Sequence, residues 1–456
     1  MRKVQKILFR MTKVATCKYW VASRQRFCKF QISKESSDFC SVHDSGSGDR
    51  LRIPCPVDPK HMIFKKDTEK HVLKCSKVVD NLFSSRQPLI LKGCNSCGSD
   101  EPNNSDENPV QAFSDEELNG LRLKLIRARE QLINLIKAKS PNTVIAGEDV
   151  PHSQPWSESV ESCVSAMLNR GWDTRKEIDK HNLQNACLLE VLKTNSLTPS
   201  FLGERLYVEL GCGKAGLSRW LMYSIDSDLE EAPAEAPVFL LLDYEARRHK
   251  QENKKEIQDK VSPSSVIRLR SDIRDVDLVE FLRSKSVEEI PEIEGKLGSP
   301  EQRLSELNRK VVSVQSRPNW PYKEVVGIAK HLCGSATDLG LRCLARIRER
   351  KVSIVFATCC HHRCTWSELV GKATLESLEV CSNSSDFRRL VSVAGWATTQ
   401  GLPEEKRMLG RLVKSVIDLS RVYWISSNFD NIGKLEYRKY IEDGITPENF
   451  CIVLTV

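Results

Sequence analysis

Two clusters of cysteine and histidine lie within the first 80 residues of this 456-residue chain, at spacings that suit metal coordination. The first follows the pattern C-x10-C-x11-C-x2-H and consists of Cys17, Cys28, Cys40 and His43. The second follows the pattern C-x5-H-x9-H-x3-C and consists of Cys55, His61, His71 and Cys75. Thiolates and imidazoles in fours are the ligand sets of closed tetrahedral zinc sites. We therefore predict two structural Zn²⁺ sites, a CCCH-type module over residues 14–46 and a CHHC-type finger over residues 52–79.

A glycine-rich turn follows the strand-like run at 207–211 and opens a helical pattern, with the sequence Gly211-Cys-Gly213-Lys-Ala-Gly216. Such glycines let the backbone approach a nucleotide-like cofactor, and acidic residues at strand ends bind its ribose hydroxyls and adenine amine. The E-x-G-x-G form favours S-adenosylmethionine (AdoMet) over NAD, and the absence of GK[ST] excludes a P-loop. The predicted AdoMet-binding residues are Glu209, Gly211, Gly213, Asp243 and Asp272.

Two later strand-like runs end in reactive side chains, at residues 330–334 (KHLCG) and 359–362 (CCHH). The carboxyl ends of strands line the ligand crevice in open α/β sheets. Lys330 and His331, followed by His361, are therefore the candidate catalytic residues that could take a proton from a hydroxyl nucleophile. The alternative is that some of these residues only hydrogen-bond loops together. Successive residues of an extended strand point to opposite sides, so the four residues 359–362 are not expected to converge on a third metal ion.

The elements that position these residues alternate between strand-like and helical patterns. The strand-like runs are 207–211, 238–243, 266–270, 325–330, 352–358, 421–426 and 451–456. Alternation of this kind predicts parallel βαβ units, and the last two runs suggest an antiparallel pair. The predicted fold class is α/β, a seven-stranded Rossmann-like domain over residues 160–456. A polar, charge-rich stretch at 284–320 is predicted to be a surface insertion.

A helix is predicted between the metal modules and this domain, over residues 114–139. Ser114 and Glu117 form a capping-box pattern at its start. An apolar stripe follows at heptad-like spacing: Leu118, Leu121, Leu125, Ala128, Leu132 and Leu135. The stripe could form a coiled coil or pack against a neighbouring domain. The polar, acidic residues 92–113 are predicted to be a flexible linker, in which Cys94 and Cys97 are loop cysteines or, alternatively, half of a zinc site.

Composition and charge narrow the function classes. Hydrophobic residues make up 40% of the chain and charged residues 29%, which excludes a collagen-like or wholly disordered protein. No apolar run approaches the length of a membrane span. Residues 1–80 contain 18 Lys and Arg against 8 Asp and Glu, which points to a polyanion partner or, alternatively, a solubilising surface.

The cysteines and the first residues also bear on localisation. Seventeen cysteines without a secretory signal predict an intracellular, reducing location, the nucleus and/or cytoplasm. Residues 1–16 are basic and amphipathic, so a mitochondrial presequence is an alternative. Against it, the metal-ligand candidate Cys17 follows directly.

Several motifs occur together in a familiar order. Besides the Cys17–His43 cluster, they are IPCPVDPKH…HVLKC (53–75), KHNLQNACLL (180–189), VELGCGKAGLS (208–218), SDIRD (271–275), AKHLCG (329–334), ATCCHH (357–362) and YIEDGITPEN (440–449). Together they resemble the eukaryotic tRNA 2′-O-ribose methyltransferases that modify nucleotide 4 of the acceptor stem. The likeness spans nearly the whole chain except the linker and the 284–320 insertion. The CHHC finger is also similar to one in a minor-spliceosome protein.

The resemblance implies methyl transfer from AdoMet to a ribose 2′-hydroxyl, with tRNA as partner and the zinc modules helping to hold it. It assigns no catalytic base, and the Lys-Asp-Lys-Glu tetrad of some other ribose methyltransferases is absent. No membrane association and no obligate protein partner are predicted. Two other functions remain open: an AdoMet-dependent methyltransferase of protein or small molecules, and a non-catalytic zinc-finger RNA-binding protein.

Overall fold

A computed structural model describes the parts of the chain that carry most of these predictions. The described residues are 17–21, 26–28, 38, 40, 51–57, 62–72, 75, 89–97, 112–145, 180–199, 205–225, 237–245, 257, 265–283 and 322–456. The predictions for His43, His61 and the 284–320 insertion fall outside them. The chain divides into two compact units, residues 1–86 with 291–311, and residues 87–290 with 312–456. Within the described residues, no helix combines the length and the hydropathy needed to cross a membrane.

The elements that the structure describes in the first unit are very short. Two antiparallel pairs of strands, β1 with β2 and β3 with β4, precede the helix α1. Their bounds are Trp20–Val21, Arg26–Phe27, Arg52–Pro54, Met62–Phe64 and, for α1, Thr68–Val72. The buried apolar residues described here are five cysteines and Ile63. Metal ligation by buried cysteines of this kind can hold such short elements together.

The second unit is built on a mixed sheet, in which eight strands are described in the order β5-β11-β12-β10-β9-β6-β7-β8. The strands are β5 Val144–Ile145, β6 Arg205–Leu210, β7 Val238–Asp243, β8 Val266–Arg270, β9 Glu324–Cys333, β10 Lys351–Cys359, β11 Lys434–Lys439 and β12 Phe450–Thr455. Strands β8, β7, β6, β9 and β10 run parallel, whereas β12 is antiparallel to both of its neighbours.

Helices cover both faces of this sheet. They are α2 Asp115–Lys139, α3 Lys180–Thr194, α4 Gly216–Tyr223, α5 Leu278–Arg283, α6 Ser335–Ala345, α7 Lys372–Ser377, α8 Ser384–Ala394 and α9 Glu404–Asn428. Alternate residues of the central strands β6, β7, β9, β10 and β12 enter two separate apolar clusters, one with α3 and α4 and the other with most of the remaining helices. This two-sided burial gives the near-continuous apolar runs seen in β6 and β7.

The order of the strands fixes where a ligand can bind. From β6 the chain proceeds outward through β7 to β8, and then returns to β9 on the other side of β6. A crevice opens beyond the carboxyl ends of two parallel strands at such a reversal. The residues that end β6 and β9 therefore face a common space.

The predicted α/β class agrees with this architecture, but the strand predicted at 421–426 is wrong. These residues form the last part of α9, and the missed strand β11 follows them. The local run RVYWIS is rich in residues that favour strands. However, Leu409, Val413, Ile417 and Ile425 of α9 are buried at helical spacing, and burial along this longer face decides the conformation.

The predicted helix over 114–139 is confirmed as α2, including the capping box between Ser114 and Glu117. Its apolar stripe packs on α9 of the same unit. Leu135, placed in the stripe by the heptad pattern, is 37% exposed, whereas Ile133 and Ile136 are buried. A straight helix drifts relative to a strict seven-residue repeat, which moves the buried face in this direction.

The first residues of the predicted linker belong to the packed unit. Asn95 is fully buried, and its side-chain amide donates hydrogen bonds to the carbonyls of Ile273 (2.7 Å) and Val276 (2.8 Å). The backbone amide of Gly93 donates to the Asp275 carboxylate at 2.8 Å. The flexible linker predicted from residue 92 is therefore wrong for residues 92–97, where polar composition reflects hydrogen bonding and not disorder.

Candidate active site

A cavity of about 1480 Å³ lies at the carboxyl ends of β6, β7, β8 and β9. Its wall contains all five predicted AdoMet-binding residues, namely Glu209, Gly211, Gly213, Asp243 and Asp272. It also contains the candidate catalytic residues Lys330 and His331. The structure therefore brings together seven residues that the sequence had placed on four different strand ends.

The glycine turn after β6 presents its backbone to the cavity. Gly211 and Gly213 have φ angles of 65° and 54°, in the left-handed region that favours glycine. A Cβ on Gly211 would lie 3.2 Å from Cδ1 of Leu332, whereas a Cβ on Gly213 would meet nothing within 4 Å. The space beside Gly213 is thus open to a ligand, as a cofactor-binding turn requires.

Asp243 anchors this turn from the end of β7. Its Oδ2 accepts a hydrogen bond from the Gly213 amide at 2.6 Å, and its Oδ1 accepts one from the Glu245 amide at 2.7 Å. Two backbone donors hold the carboxylate in one orientation, and a carboxylate can accept about four hydrogen bonds in total. Asp272 occupies the corresponding position after β8, where its side chain accepts from the Arg274 amide at 2.9 Å.

Glu209 ties the end of β6 to the start of α4. Its buried carboxylate accepts hydrogen bonds from the hydroxyl and, at 3.1 Å, the backbone amide of Ser218. Burial raises the pKa of Glu209 to about 7, against the hydrogen bonds from Ser218. Glu209 therefore stabilises the conformation of the glycine turn between β6 and α4.

Lys330 and His331 lie near the carboxyl end of β9, next to helix α3. The ammonium of Lys330 donates to Oδ1 of Asn185 at 2.7 Å and to the His181 carbonyl at 3.3 Å. The rings of His331 and His181 meet edge to face, with centroids 5.6 Å apart. Partial desolvation and the charges of Lys330 and His181 lower the pKa of His331, although its exposure lets water weaken the shift.

Sequence reasoning missed the contribution of α3. His181, Asn182 and Asn185 line the cavity, although no role was predicted for the segment KHNLQNACLL. A signal was available, because these three polar residues fall on the same helix face as the buried Leu188 and Leu189 but nearer the start of the helix. The segment 92–97 was missed as well, and it contributes Lys92 and Ser96 to the wall.

His361 lies elsewhere. It is 1% exposed, does not line the cavity, and its Nε2 is 2.8 Å from Oδ1 of Asp418. Asp418 is also paired with Arg421, which forms a two-point ion pair with Asp338. The left-handed conformation of Cys360 begins a 3-10 turn that carries His361 into the interior. The structure therefore assigns His361 to a buried ion-pair network, and the predicted catalytic role is corrected.

The metal clusters of the first unit have the spacing that zinc requires. The thiols of Cys17, Cys28 and Cys40 lie within 4.8 Å of one another, as do the ligand atoms of Cys55, His71 and Cys75. The Sγ–Sγ distances are 4.0 Å for Cys28–Cys40 and 3.9 Å for Cys55–Cys75. Tetrahedral zinc with Zn–S bonds of 2.3 Å places its sulfurs about 3.8 Å apart, so these residues fit the ion.

Three protein-family models match the chain. "Methyltransferase TRM13" covers residues 183–293 and 304–404, the "CCCH zinc finger in TRM13 protein" covers 15–44, and the "U11-48K-like CHHC zinc finger" covers 52–76. Both predicted zinc modules therefore coincide with zinc-finger families.

Similar proteins are known from yeasts and mammals. The chain is 24% identical to "tRNA:m(4)X modification enzyme TRM13" of Vanderwaltozyma polyspora, over 96% of each protein. It is 28% identical to "tRNA:m(4)X modification enzyme TRM13 homolog" of Mus musculus, over 84% of this chain and 74% of the relative.

Among solved structures, the plantazolicin methyltransferase BpumL aligns with 74% of this chain and 98% of its own. The alignment has 9% identity and a TM-score of 0.24, too low to establish a shared fold. The three matched models and the full-length relatives lead to one conclusion: the chain belongs to the TRM13 methyltransferase family and carries that family's CCCH and CHHC zinc fingers.

Proposed function

We propose that this chain transfers the methyl group of AdoMet to the ribose 2′-hydroxyl of nucleotide 4 in the acceptor stem of tRNA. One observation carries the proposal: the glycine turn anchored by Asp243 and the Lys330–His331 pair share a single cavity at the strand-order reversal. The relatives named as tRNA:m(4)X modification enzymes support the choice of substrate. In this proposal the sheet from β6 to β12 is a Rossmann-like AdoMet-dependent methyltransferase domain, and β5 is an added edge strand.

The donor set fits AdoMet. The open space beside Gly213 would take the part of the ligand that runs along the turn. Asp243 would bind the ribose hydroxyls and Asp272 the adenine amine, as acidic strand ends do in nucleotide sites. Glu209 would keep the turn in shape through Ser218. When bound, AdoMet supplies an electrophilic methyl group on its sulfonium.

Lys330 and His331 would act on the nucleophile. The Lys330 ammonium, held by Asn185 and the His181 carbonyl, is a cation that can bind a ribose or phosphate oxygen. The His331 imidazole can accept the proton that the 2′-hydroxyl loses as its oxygen bonds to the methyl carbon. Much of the rate enhancement would come from holding the two reactants in line.

The N-terminal residues would contribute RNA affinity. With 18 Lys and Arg against 8 Asp and Glu in residues 1–80, they can neutralise backbone phosphates. An A-form acceptor stem presents its 2′-hydroxyls in a wide minor groove and is recognised by shape and phosphate contacts. The zinc ions would fix the fold of these basic segments.

The test is methyl transfer by the zinc-loaded full chain from labelled AdoMet to bulk unmodified tRNA, followed by nuclease digestion and nucleoside analysis. We expect label in a 2′-O-methyl nucleoside that maps to nucleotide 4. Lys330→Ala and His331→Ala should each lower turnover by about 100-fold or more, with tRNA and AdoMet binding retained. Lys351→Ala is the matched control, because Lys351 is an exposed lysine at the amino end of β10, away from the carboxyl strand ends that line the cavity.

Each other outcome points to a different function. Full turnover in both variants would remove Lys330 and His331 from the mechanism. Label in protein or in small molecules, with none in RNA, would favour a methyltransferase of another substrate class. A failure to bind AdoMet would leave an RNA-binding zinc-finger protein.

A further inference from the structure

A third group of thiols lies in the second unit, at the ends of β9 and β10. The Sγ atoms of Cys333, Cys359 and Cys360 are within 4.8 Å of one another, and Cys333 and Cys359 are 3.5 Å apart. None of the three is in a disulfide. Among the described residues, the other His, Cys, Asp and Glu groups this close are the two N-terminal clusters, both of which match zinc-finger families.

A shift in strand register brings Cys333 beside Cys359. Phe356 pairs with Ala329, but Thr358 pairs with Leu332, so β9 contributes one extra residue between these points. Without the shift, Cys359 would lie next to Leu332. Paired residues of neighbouring parallel strands point to the same face, so the extra residue turns the two thiols to one side.

A second backbone irregularity adds Cys360. Its φ and ψ are 50° and 42°, in the left-handed region, which costs a residue with a side chain about 1–2 kcal/mol. Because Cys360 is not in the extended conformation, its side chain does not point away from that of Cys359. The thiols of Cys359 and Cys360 therefore lie within 4.8 Å of each other. The sequence-based expectation that neighbouring residues of 359–362 diverge is therefore wrong for this pair.

The two strand ends are also packed directly together. A Cβ on Gly334 would lie 2.5 Å from the carbonyl oxygen of Arg363, so only glycine fits there. This contact joins the residue after Cys333 to the turn after Cys360. The three thiols are thus held together by backbone packing, which is typical of a preformed site and not of a chance encounter of surface cysteines.

From this geometry we propose that Cys333, Cys359 and Cys360 bind a third metal ion, of the thiophilic divalent class to which Zn²⁺ belongs. The 3.5 Å separation of Cys333 and Cys359 is close to the roughly 3.8 Å between sulfurs on tetrahedral zinc. It is far from the roughly 2.05 Å of a disulfide bond. The proposal stands independently of the substrate proposed above.

In this proposal, the fourth position of the ion lies on the side of the cavity. Cys333 lines the cavity wall, next to Lys330 and His331. No fourth His, Cys, Asp or Glu atom of the described residues joins the three thiols. Zinc sites with three protein ligands keep an exchangeable position for water or a ligand oxygen. The third site is therefore of the open kind, whereas the two N-terminal modules are predicted to be closed.

The test is the metal content of the full chain, purified with zinc and measured by inductively coupled plasma mass spectrometry. We expect three equivalents per chain, one for each cluster. Cys333→Ser and Cys360→Ser should each lower the content by one equivalent. Cys97→Ser should not, because Cys97 is exposed and outside all three clusters. Circular dichroism would confirm that the variants are folded.

The wild-type protein keeps the proposal falsifiable even if a variant fails to fold. Cys17→Ser and Cys55→Ser each remove one N-terminal ion, so loss of one equivalent in each shows that both modules were filled. A wild-type content of two equivalents with both modules filled would overturn the third site. A native mass about 2 Da lower, reversed by reductant, would also overturn it, since it would identify Cys333 and Cys359 as a disulfide pair.

Discussion

Oδ1 of Asn185 accepts a hydrogen bond from the Lys330 ammonium at 2.7 Å, which joins helix α3 to the end of strand β9. The same side chain donates from Nδ2 to the Gly216 carbonyl at 3.4 Å, at the start of α4. One buried amide therefore links the candidate catalytic lysine to the helix that follows the glycine turn. Asn185 is in this sense a positioning residue for Lys330.

Replacement of Asn185 should separate positioning from binding. Asn185→Ala removes the acceptor of a charged hydrogen bond of about 1.5–3 kcal/mol, so we expect kcat to fall about 10- to 100-fold. Asn185→Asp keeps the acceptor oxygen for Lys330 but loses the Nδ2 donor to the Gly216 carbonyl, so it should retain more activity than Asn185→Ala. Isothermal titration should show unchanged AdoMet affinity in both variants.

The control for this series is Asn119→Ala, on the exposed face of α2. It should leave kcat at the wild-type value. If Asn185→Asp is as inactive as Asn185→Ala, the acceptor oxygen is not what Lys330 needs.

Glu209 should make the stability of the protein depend on pH. Burial raises its pKa from 4.5 to about 7, so the folded state holds a proton that the unfolded chain releases. Stability from this group is full below about pH 4.5 and is lost as pH rises through about 7. Relative to Glu209→Gln, we expect the wild type to lose up to about 3 kcal/mol between about pH 5 and about pH 8.

Thermal unfolding of both proteins without AdoMet, across this pH range, measures the difference. Glu405→Gln is the control, because Glu405 is exposed in the first turn of α9. A constant gap between wild type and Glu209→Gln at all pH values would show that the pKa of Glu209 is ordinary.

The buried ion-pair network should matter for stability. Arg421 is 1% exposed and is paired with both Asp338 and Asp418. Arg421→Ala leaves two buried carboxylates without their cation, and we expect a loss of about 3–5 kcal/mol in urea denaturation. Arg348→Ala breaks an exposed pair with Asp430 and should cost less than about 1 kcal/mol. Equal losses in the two variants would contradict the importance of burial.

The CHHC finger should affect RNA binding without affecting the cofactor. Cys55→Ser and His71→Ala each remove a zinc ligand candidate, so we expect loss of one zinc equivalent and weaker tRNA binding. AdoMet affinity should be unchanged in both. Wild-type binding should weaken steeply between about 50 and 200 mM salt. Unchanged tRNA affinity in the zinc-depleted variants would show that the finger serves another purpose.

The sequence predicted correctly those features whose conformation depends on a few consecutive residues. The glycine turn, the acidic strand ends and the KHLCG run each occupy a few consecutive residues, and the strand-end rule brings them to one crevice. The conformation of 421–426 depends instead on the whole buried face of α9, and the order of residues 92–97 depends on Ile273 and Val276. Neither partner is visible in the segment itself.

The meeting of Cys333, Cys359 and Cys360 was the hardest feature to predict. It requires one extra residue in β9 and one left-handed residue after β10. The expectation that successive side chains point to opposite sides holds only for a regular strand. The sequence CCHH does not indicate that β10 ends at Cys359, the first residue of that run. A pairing register is a property of two segments distant in sequence, so a single segment does not reveal it.

The irregular pairing of β9 and β10 sets a limit on how this protein can be made more stable. Two changes would relieve this strain: deletion of the extra β9 residue and Cys360→Gly at the left-handed position. Protein engineering that selects for stability alone would favour both of them. The deletion would alter the placement of Lys330, His331 and Cys333 on the strand, and the glycine would remove a thiol. Stabilising substitutions in this protein should therefore leave the extra β9 residue and Cys360 unchanged.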